Sequence, residues 1–425
     1  MLFIKRFYKQ SLFAGLCVFY TYLPVSYAQT TGKISIIPAE VELNQLIRKV
    51  LPTHPRFIAA QAELQAARAL YSASTNAIYN PELELDTEET NIRTSTIGLS
   101  QTIDWGDQQG ANTQIAKFQF NAAKENFKQE RHRLISDLLI IAGDYKNKAR
   151  LAALSNQRLT LMKDFYSLAK QKHSAGDLNQ VELDLAQLAY SESIFDNARV
   201  LSEYTQEKQN FYAMFAAVAE TTLPEIPRDF QKVSLPAELD SFLMTLPKVQ
   251  KMRATVAANK NIIALRQAES SADPSVAIRG GKEDKESLVG VTLTIPINIR
   301  NNFTAEIKAA EQNYLQSEQL AQQAWRNLRR DIISQTRHYE LTRNAWQQWR
   351  LNGQASIQRQ LSLLKQLWRT GDLSTTDYLV QIKQNLDTQS ASIELHTTLW
   401  RSWLMWLDST AQIETWLQLN FTRNQ

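Results

Sequence analysis

Val289-Gly290-Val291-Thr292-Leu293-Thr294-Ile295-Pro296-Ile297 alternates apolar residues with small or polar ones. That is the period of an extended strand with one apolar and one polar face. About 192 residues earlier, Ile97, Leu99 and Ile103 alternate with Thr96, Ser100, Thr102 and Asp104, and Gly98 stands where Gly290 stands. Each stretch has a partner before it. Leu83 and Leu85 alternate with Glu82, Glu84 and Asp86, and Val276 and Ile278 with Ser275, Ala277 and Arg279. The pattern predicts two β-hairpins, at about 81–104 and 274–297. Strands of about ten residues cross a bilayer when tilted. Four strands cannot close a barrel, and an open sheet edge is not tolerated in lipid. Two copies would give eight strands and three would give twelve. An eight-stranded barrel is filled by its own side chains, so a channel calls for three or more copies. The alternative is a pair of soluble hairpins packed on helices.

The hairpins belong to a longer duplication. Pro55 matches Pro247, Asn80-Pro81 matches Asp273-Pro274, and Ala175-Gly176-Asp177-Leu178 matches Thr370-Gly371-Asp372-Leu373. Each copy reads as approach helix, hairpin, very long helix, tight turn and return helix. The copies are expected at 29–219 and 238–410. The long helices are placed at about 107–173 and 300–370, and the return helices at about 178–215 and 374–407. Within the long helices only Gly143 and Gly353 break the run. The first would be about 100 Å long. Leu134, Leu138, Ile141, Tyr145, Ala149 and Ala152 recur at threes and fours, as do Leu178, Val181, Leu185 and Leu188. That spacing predicts coiled-coil-like pairing. Residues 220–237, with Pro224, Pro227 and Pro236, read as a linker on the outside of the struts. Residues 411–425 form a C-terminal tail. The fold class is therefore mainly α with a small β part.

The first 28 residues have the form of a secretory signal. Lys5, Arg6 and Lys9 precede an apolar run from Ser11 to Leu23, and Ser26-Tyr27-Ala28 offers a cleavage site. Cys17 is the single cysteine and lies inside that segment, after residues that do not suit lipoprotein processing. Cleavage would leave no thiol, no disulfide and no Cys ligand. Removing the three basic residues lowers the net charge from +4 to +1. Such a near-neutral chain is not suited to nucleic acid. No other segment reaches 18 consecutive apolar residues, so a membrane role would have to come through strands.

No catalytic constellation, metal site or cofactor motif is present. His54, His132, His173, His338 and His396 are scattered, and the six methionines form no cluster. Eight of nine tryptophans follow residue 320. Trp346 and Trp349, and Trp400, Trp403 and Trp406, lie at helical spacing and are expected in the core. Trp105 alone sits where an interfacial aromatic belongs.

Asn80-Pro81-Glu82-Leu83-Glu84-Leu85, Gly98-Leu99-Ser100-Gln101-Thr102-Ile103-Asp104-Trp105-Gly106 and Ala175-Gly176-Asp177-Leu178 resemble the TolC-type outer-membrane efflux proteins. The first two motifs most resemble the branch that serves heavy-metal cation pumps (CzcC-like). The chain departs from that branch after Trp105, where Gly-Lys-Arg is common and Gly106-Asp107-Gln108 stands here. The resemblance covers roughly Val41 to Leu407. It implies a homotrimer with a twelve-stranded barrel in outer-membrane lipid, continued by an α-helical coiled-coil barrel through the periplasm. It implies docking on a periplasmic adaptor and an inner-membrane pump of the resistance-nodulation-division type. The implied function is passive export, most readily of metal cations; drugs or dyes, or a type I secretion substrate, are alternatives. A structural coiled-coil surface protein and a periplasmic adaptor are alternatives of another class.

Gly176 and Gly371 suit the left-handed position after a helix end. Asn179-x-x-Glu182 and Ser374-x-x-Asp377 then read as helix caps. By the resemblance these turns form the periplasmic tip, with Lys172, His173, Gly176, Asp177, Trp368, Arg369, Gly371 and Asp372 at the adaptor-facing surface. Asp377, with Glu182 as its counterpart, stands where the family rings its closed entrance with aspartates. The family's second acidic position is Val380 here. Asp377 is either a gate residue or simply a cap acid facing the helix dipole.

Overall fold

The computed structural model describes residues 36–216 and 223–419. The expected signal segment and the end of the tail lie outside the described residues. The chain runs α1 (Val41–Val50), a short 3-10 turn, α2 (Pro55–Ser74), β1 (Glu82–Glu89), β2 (Arg93–Thr102), α3 (Gln108–Ser174), α4 (Gln180–Met214), α5 (Leu239–Thr245), α6 (Pro247–Glu269), β3 (Ser275–Glu283), β4 (Glu286–Thr294), α7 (Thr304–Asn352), α8 (Gln354–Thr370), α9 (Thr375–Ser409) and α10 (Ile413–Trp416). Pro55 and Pro247 open α2 and α6, where proline's missing N–H costs nothing.

The two hairpins join into one antiparallel sheet in the order β1-β2-β3-β4. β4 stops at Thr294, short of the expected 297, because Pro296 has no N–H for a ladder. The same four-in-a-row plan continues along the long axis. α2 packs on α3, α3 on α6 and α6 on α7; farther down, α4 packs on α3, α3 on α9 and α9 on α8. α3 runs through both helical layers, and α7 extends from its contact with α6 to one with α9.

Strand passes into helix with almost no slack. Asp104 accepts hydrogen bonds from the backbone N–H of Gln108 (2.8 Å) and Gln109 (2.7 Å), capping α3. Asp273 accepts from the backbone N–H of Trp105 (3.0 Å), Gln108 Nε2 (2.8 Å) and the Tyr79 hydroxyl (2.8 Å). A Cβ on Gly106 would lie 2.3 Å from the carbonyl oxygen of Ala268, so only glycine lets α6 come this close.

Three expectations need correction. The second long helix, expected as one element over about 300–370 with Gly353 its only interruption, divides there into α7 and α8. The Trp349 ring occupies the place of a Gly353 side chain, 2.2 Å from where a Cβ would stand. Gly353 N–H still donates to the Trp349 carbonyl at 2.8 Å, so the break is a bend between two stacked helices. Residues 223–236 are irregular but do not lie loosely outside the struts. Leu223, Ile226 and Val233 are buried in the core. Carbonyls of this segment accept from Trp346 Nε1, Arg343 Nε and the Tyr339 hydroxyl, strapping it across α7. The sequence pattern also missed α1 and α5. α1 is amphipathic and buries Leu43, Leu46, Ile47 and Val50 in the same core.

That core sits at mid-length, where α1, α3, α4, α9 and α10 meet. Trp400, Trp403, Trp406 and Trp416 are all buried in it, in contact with one another and with Tyr339. Trp400 Nε1 donates to the Leu139 carbonyl at 2.9 Å. It reaches this position only because residue 143 lacks a side chain: a Cβ there would lie 2.3 Å from the indole nitrogen. At the edge of the core, Glu414 accepts from Arg131 Nε (2.5 Å) and Nη2 (3.0 Å) and lies 3.0 Å from His132 Nε2. Burial works against the Glu414 charge, but the bonds from His132 and Arg131 win and hold the carboxyl below its ordinary range. Asp408 is the opposite case. Burial raises its carboxyl to about 6, and Asp137 adds to the rise against His132, Arg133 and Lys248.

Gly143→Ala should destabilise the chain by about 1–3 kcal/mol through overpacking against Trp400, although alanine is the better helix former by about 1 kcal/mol. Thermal unfolding followed by circular dichroism checks this. Asp408→Asn should stabilise at neutral pH by no more than about 3 kcal/mol. The native state holds the Asp408 proton more tightly than the unfolded chain, so ionisation costs stability. The cost is absent below pH 3.8, grows up to about 6 and is constant above that. Melting curves of the two proteins should therefore converge in acid and separate at neutral pH.

Candidate functional site

The sheet has two chemically distinct faces, fixed by the register. On one face Leu83, Leu99, Ile278 and Val291 stand side by side in one row, and Leu85, Ile97, Gly280 and Val289 in the next. None of these apolar side chains is covered. Val289 is 80 % exposed and Val291 72 %, and Ile295 and Ile297 carry the exposed apolar line beyond β4. The alternative of hairpins packed on the helices does not hold, because the apolar face is turned away from them. Contiguous exposed apolar surface of this kind marks contact with lipid or protein. Trp105, 72 % exposed, lies at the strand-to-helix junction below that surface. The opposite face carries Glu82, Glu84, Asp86 and Glu88 on β1, Glu283 and Glu286 near the second turn, and Arg279 in the middle.

The other end of the molecule is the pair of helical turns. Gly176 (φ 85°) and Gly371 (φ 86°) both adopt the left-handed conformation. In each, the following N–H reaches back to a carbonyl at the helix end: Asp177 to Lys172 (2.9 Å) and Asp372 to Leu367 (2.9 Å). The caps then differ. Asn179 and Glu182 form a full capping box, with Glu182 N–H donating to Asn179 Oδ1 at 2.9 Å. In the second turn, Asp377 N–H donates to Ser374 Oγ at 3.1 Å, and the Ser374 hydroxyl donates to Asp377 Oδ2 at 2.7 Å. Asp377 is exposed and its carboxylate is engaged in its own cap. No contact joins it to Glu182 among the described residues.

The proposed tip residues separate into two groups. Asp177, Arg369 and Asp372 are exposed, and Lys172 and His173 are partly so. Trp368 is not a surface residue. It is 3 % exposed and packs against Phe165 (4.5 Å between ring centroids) and Tyr378 (4.9 Å). Lys172 Nζ lies 5.2 Å above its ring and 3.4 Å from its carbonyl oxygen. The sequence reading did not include Phe165 and Tyr378; aromatics within a few turns of each tip glycine were the signal. Beside this small core, Leu185, Leu188 and Phe195 of α4 and Val380 of α9 line an open groove of about 510 Å³.

No helix among the described residues is long and apolar enough to cross a membrane, which says nothing of the strands. No protein-family model matches the sequence, and no curated protein matches it. Solved structures do. CusC, a protein that forms a transmembrane channel, matches with a TM-score of 0.72 at 17% identity, over 91% of this chain and 95% of its own. The CmeC outer membrane channel of Campylobacter jejuni gives 0.71 at 13% identity, over 87% and 86%. The open state of the Neisseria gonorrhoeae MtrE outer membrane channel gives 0.72 at 14% identity, over 87% and 88%. At these identities the likeness shows the fold. The chain has the fold of these outer membrane channels over about nine tenths of its length.

Proposed function

We propose that this chain is one protomer of a trimeric outer-membrane exit duct serving a tripartite efflux pump of the resistance-nodulation-division type. One observation carries the proposal: every layer is an open row of four elements whose outer edges lack a neighbour. The sheet ends at β1 and β4, the next layer at α2 and α7, and the last at α4 and α8. The helical edges expose Ile58 and Leu70 on α2, Leu341 on α7 and Val181 on α4. Joining one edge to the other in a second copy is heterologous, so it closes only as a ring. Three copies give twelve strands. The uncovered apolar face then meets lipid, and the acidic face lines the water-filled interior.

The duct performs no chemistry, and its energy would come from the inner-membrane pump. The carboxylates of β1 give the interior a negative potential, which favours cations over anions. This supports metal cations as cargo over drugs or dyes, or a type I secretion substrate. At the tip, the groove between α4 and α9, the exposed Asp177, Arg369 and Asp372 and the partly exposed Lys172 would receive the periplasmic adaptor. The two helical hairpins of the tip are joined by surface pairs such as Lys383–Glu192 (2.6 Å) and Arg158–Asp387 (2.9 Å). Such pairs are worth about 0–1 kcal/mol each at the surface, a small addition to the buried Phe165, Trp368 and Tyr378 contacts that already join the two hairpins. Three copies of Asp377 would ring the entrance of the tip, with Glu182 on the neighbouring hairpin. A surface coiled-coil protein or an adaptor has no use for an uncovered apolar sheet.

The full chain should require detergent for extraction and migrate as a heat-sensitive trimer. In planar bilayers it should form cation-preferring channels. Release as a monomer in plain buffer, or no conductance, refutes the duct. Asp377→Ala should change single-channel conductance or block by divalent cations. If both are unchanged, Asp377 is a cap and nothing more.

A further inference from the structure

One row of the acidic face is unlike the others. It reads Glu84, Gly98, Arg279, Gly290 across the four strands, so Arg279 stands between two glycines. It is the one basic residue among the positions of that face. The side chain does not lean toward Glu84. The atoms nearest a Cβ on Gly98 would be Arg279 Cβ and the Ile278 carbonyl oxygen, both at 3.1 Å, and Arg279 Cα, whereas a Cβ on Gly290 would meet Arg279 Nε at 3.1 Å and Cγ at 3.4 Å. The side chain therefore lies flat across β4, in space that any other residue at 290 would fill. β4 is the free edge of the sheet. Among the described residues the guanidinium has no ion-pair partner, although six carboxylates share its face.

We propose that Arg279 reaches over Gly290 to the β1 strand of a second copy of this chain and pairs with its carboxylate row, fixing the register of the seam that closes the barrel. The inference rests on the ring proposed above. β1 offers Glu82, Glu84, Asp86 and Glu88 at every second position of the same face. Arg279 on β3 and β1 of the second copy would be two strands apart, about 10 Å at about 4.8 Å per strand, a gap that an extended Arg and an extended Glu or Asp side chain span from its two sides. A planar guanidinium binds a carboxylate through two parallel hydrogen bonds, which gives direction as well as attraction. The backbone ladder alone does not set register: a slip of two residues at the seam keeps apolar side chains out and acids in, and it satisfies the same number of N–H groups. One cation against four acids at fixed steps distinguishes the slips. Gly290 is then required to keep the path clear.

The test uses the full chain in detergent, with two readouts. Cysteines at Val289 on β4 and at Leu83, Leu85 or Thr87 on β1 report the register by disulfide capture between chains. The temperature at which the detergent-resistant oligomer dissociates reports the strength of the seam. With Arg279 present, one cysteine pair should dominate. Arg279→Glu should lower the dissociation temperature and spread capture over several pairs. One of Glu82→Arg, Glu84→Arg, Asp86→Arg or Glu88→Arg in that background should restore both. Gly290→Val, which keeps the charge but blocks its path, should match Arg279→Glu and guards against a variant that fails to assemble. Unchanged capture and dissociation in Arg279→Glu, or loss that no swap restores, overturns the pairing and leaves the ring intact. Absence of any capture between chains in the protein with Arg279 overturns the ring itself.

Discussion

A strand in hydrocarbon must give every N–H and C=O to another strand, because no water is present to take them. β1 and β4 each have one neighbour in the chain, so the backbone groups on their outer sides, about half of each strand's total, have no ladder partner within it. The helical layers below repeat the constraint in weaker form, with apolar side chains instead of backbone groups at their edges. A single chain is thus a stack of open rows. Its internal order is complete in the middle and incomplete at both sides, at every height.

The stack keeps its order because sheet and helices are joined without slack. Asp104 and Asp273 receive five hydrogen bonds between them at the point where β2 becomes α3, and Gly106 brings the backbone of α6 alongside. The four-strand order is thereby passed directly to α2, α3, α6 and α7. At mid-length the tryptophan cluster of α9 and α10 locks α3 to the second copy, with Gly143 providing the space.

Much of this plan was legible in the residues. Strand alternation around Gly98 and Gly290 gave the faces, and the turn glycines and their caps gave the tip. Trp400, Trp403 and Trp406 were readable as core from spacing alone. The rest depended on tertiary partners. Gly353 looked like a tolerated interruption because nothing local shows that the Trp349 ring will fold onto it. Trp368 looked like a surface residue because Phe165 comes from the other hairpin and Tyr378 from across the turn, and no local pattern shows the three rings meeting. The proline-rich stretch after residue 223 has no period, so its buried Leu223, Ile226 and Val233 could not be told from exposed ones. At the tip, the sequence supplied the caps but not the direction in which Asp377 faces relative to its copies.

The two halves of the duplication also differ as mechanical elements. α3 is one uninterrupted rod from the sheet to Ser174, whereas its counterpart is two shorter rods hinged at Gly353. A rod of constant section spreads a bending moment along its length; a jointed one concentrates it at the joint. A sideways load on the first hairpin is carried up to the sheet by α3, while the same load on the second is taken up at Gly353, beside Trp349. A bending load is therefore shared unequally between the two halves of the chain, with Gly353 the point along α7 and α8 where it gathers.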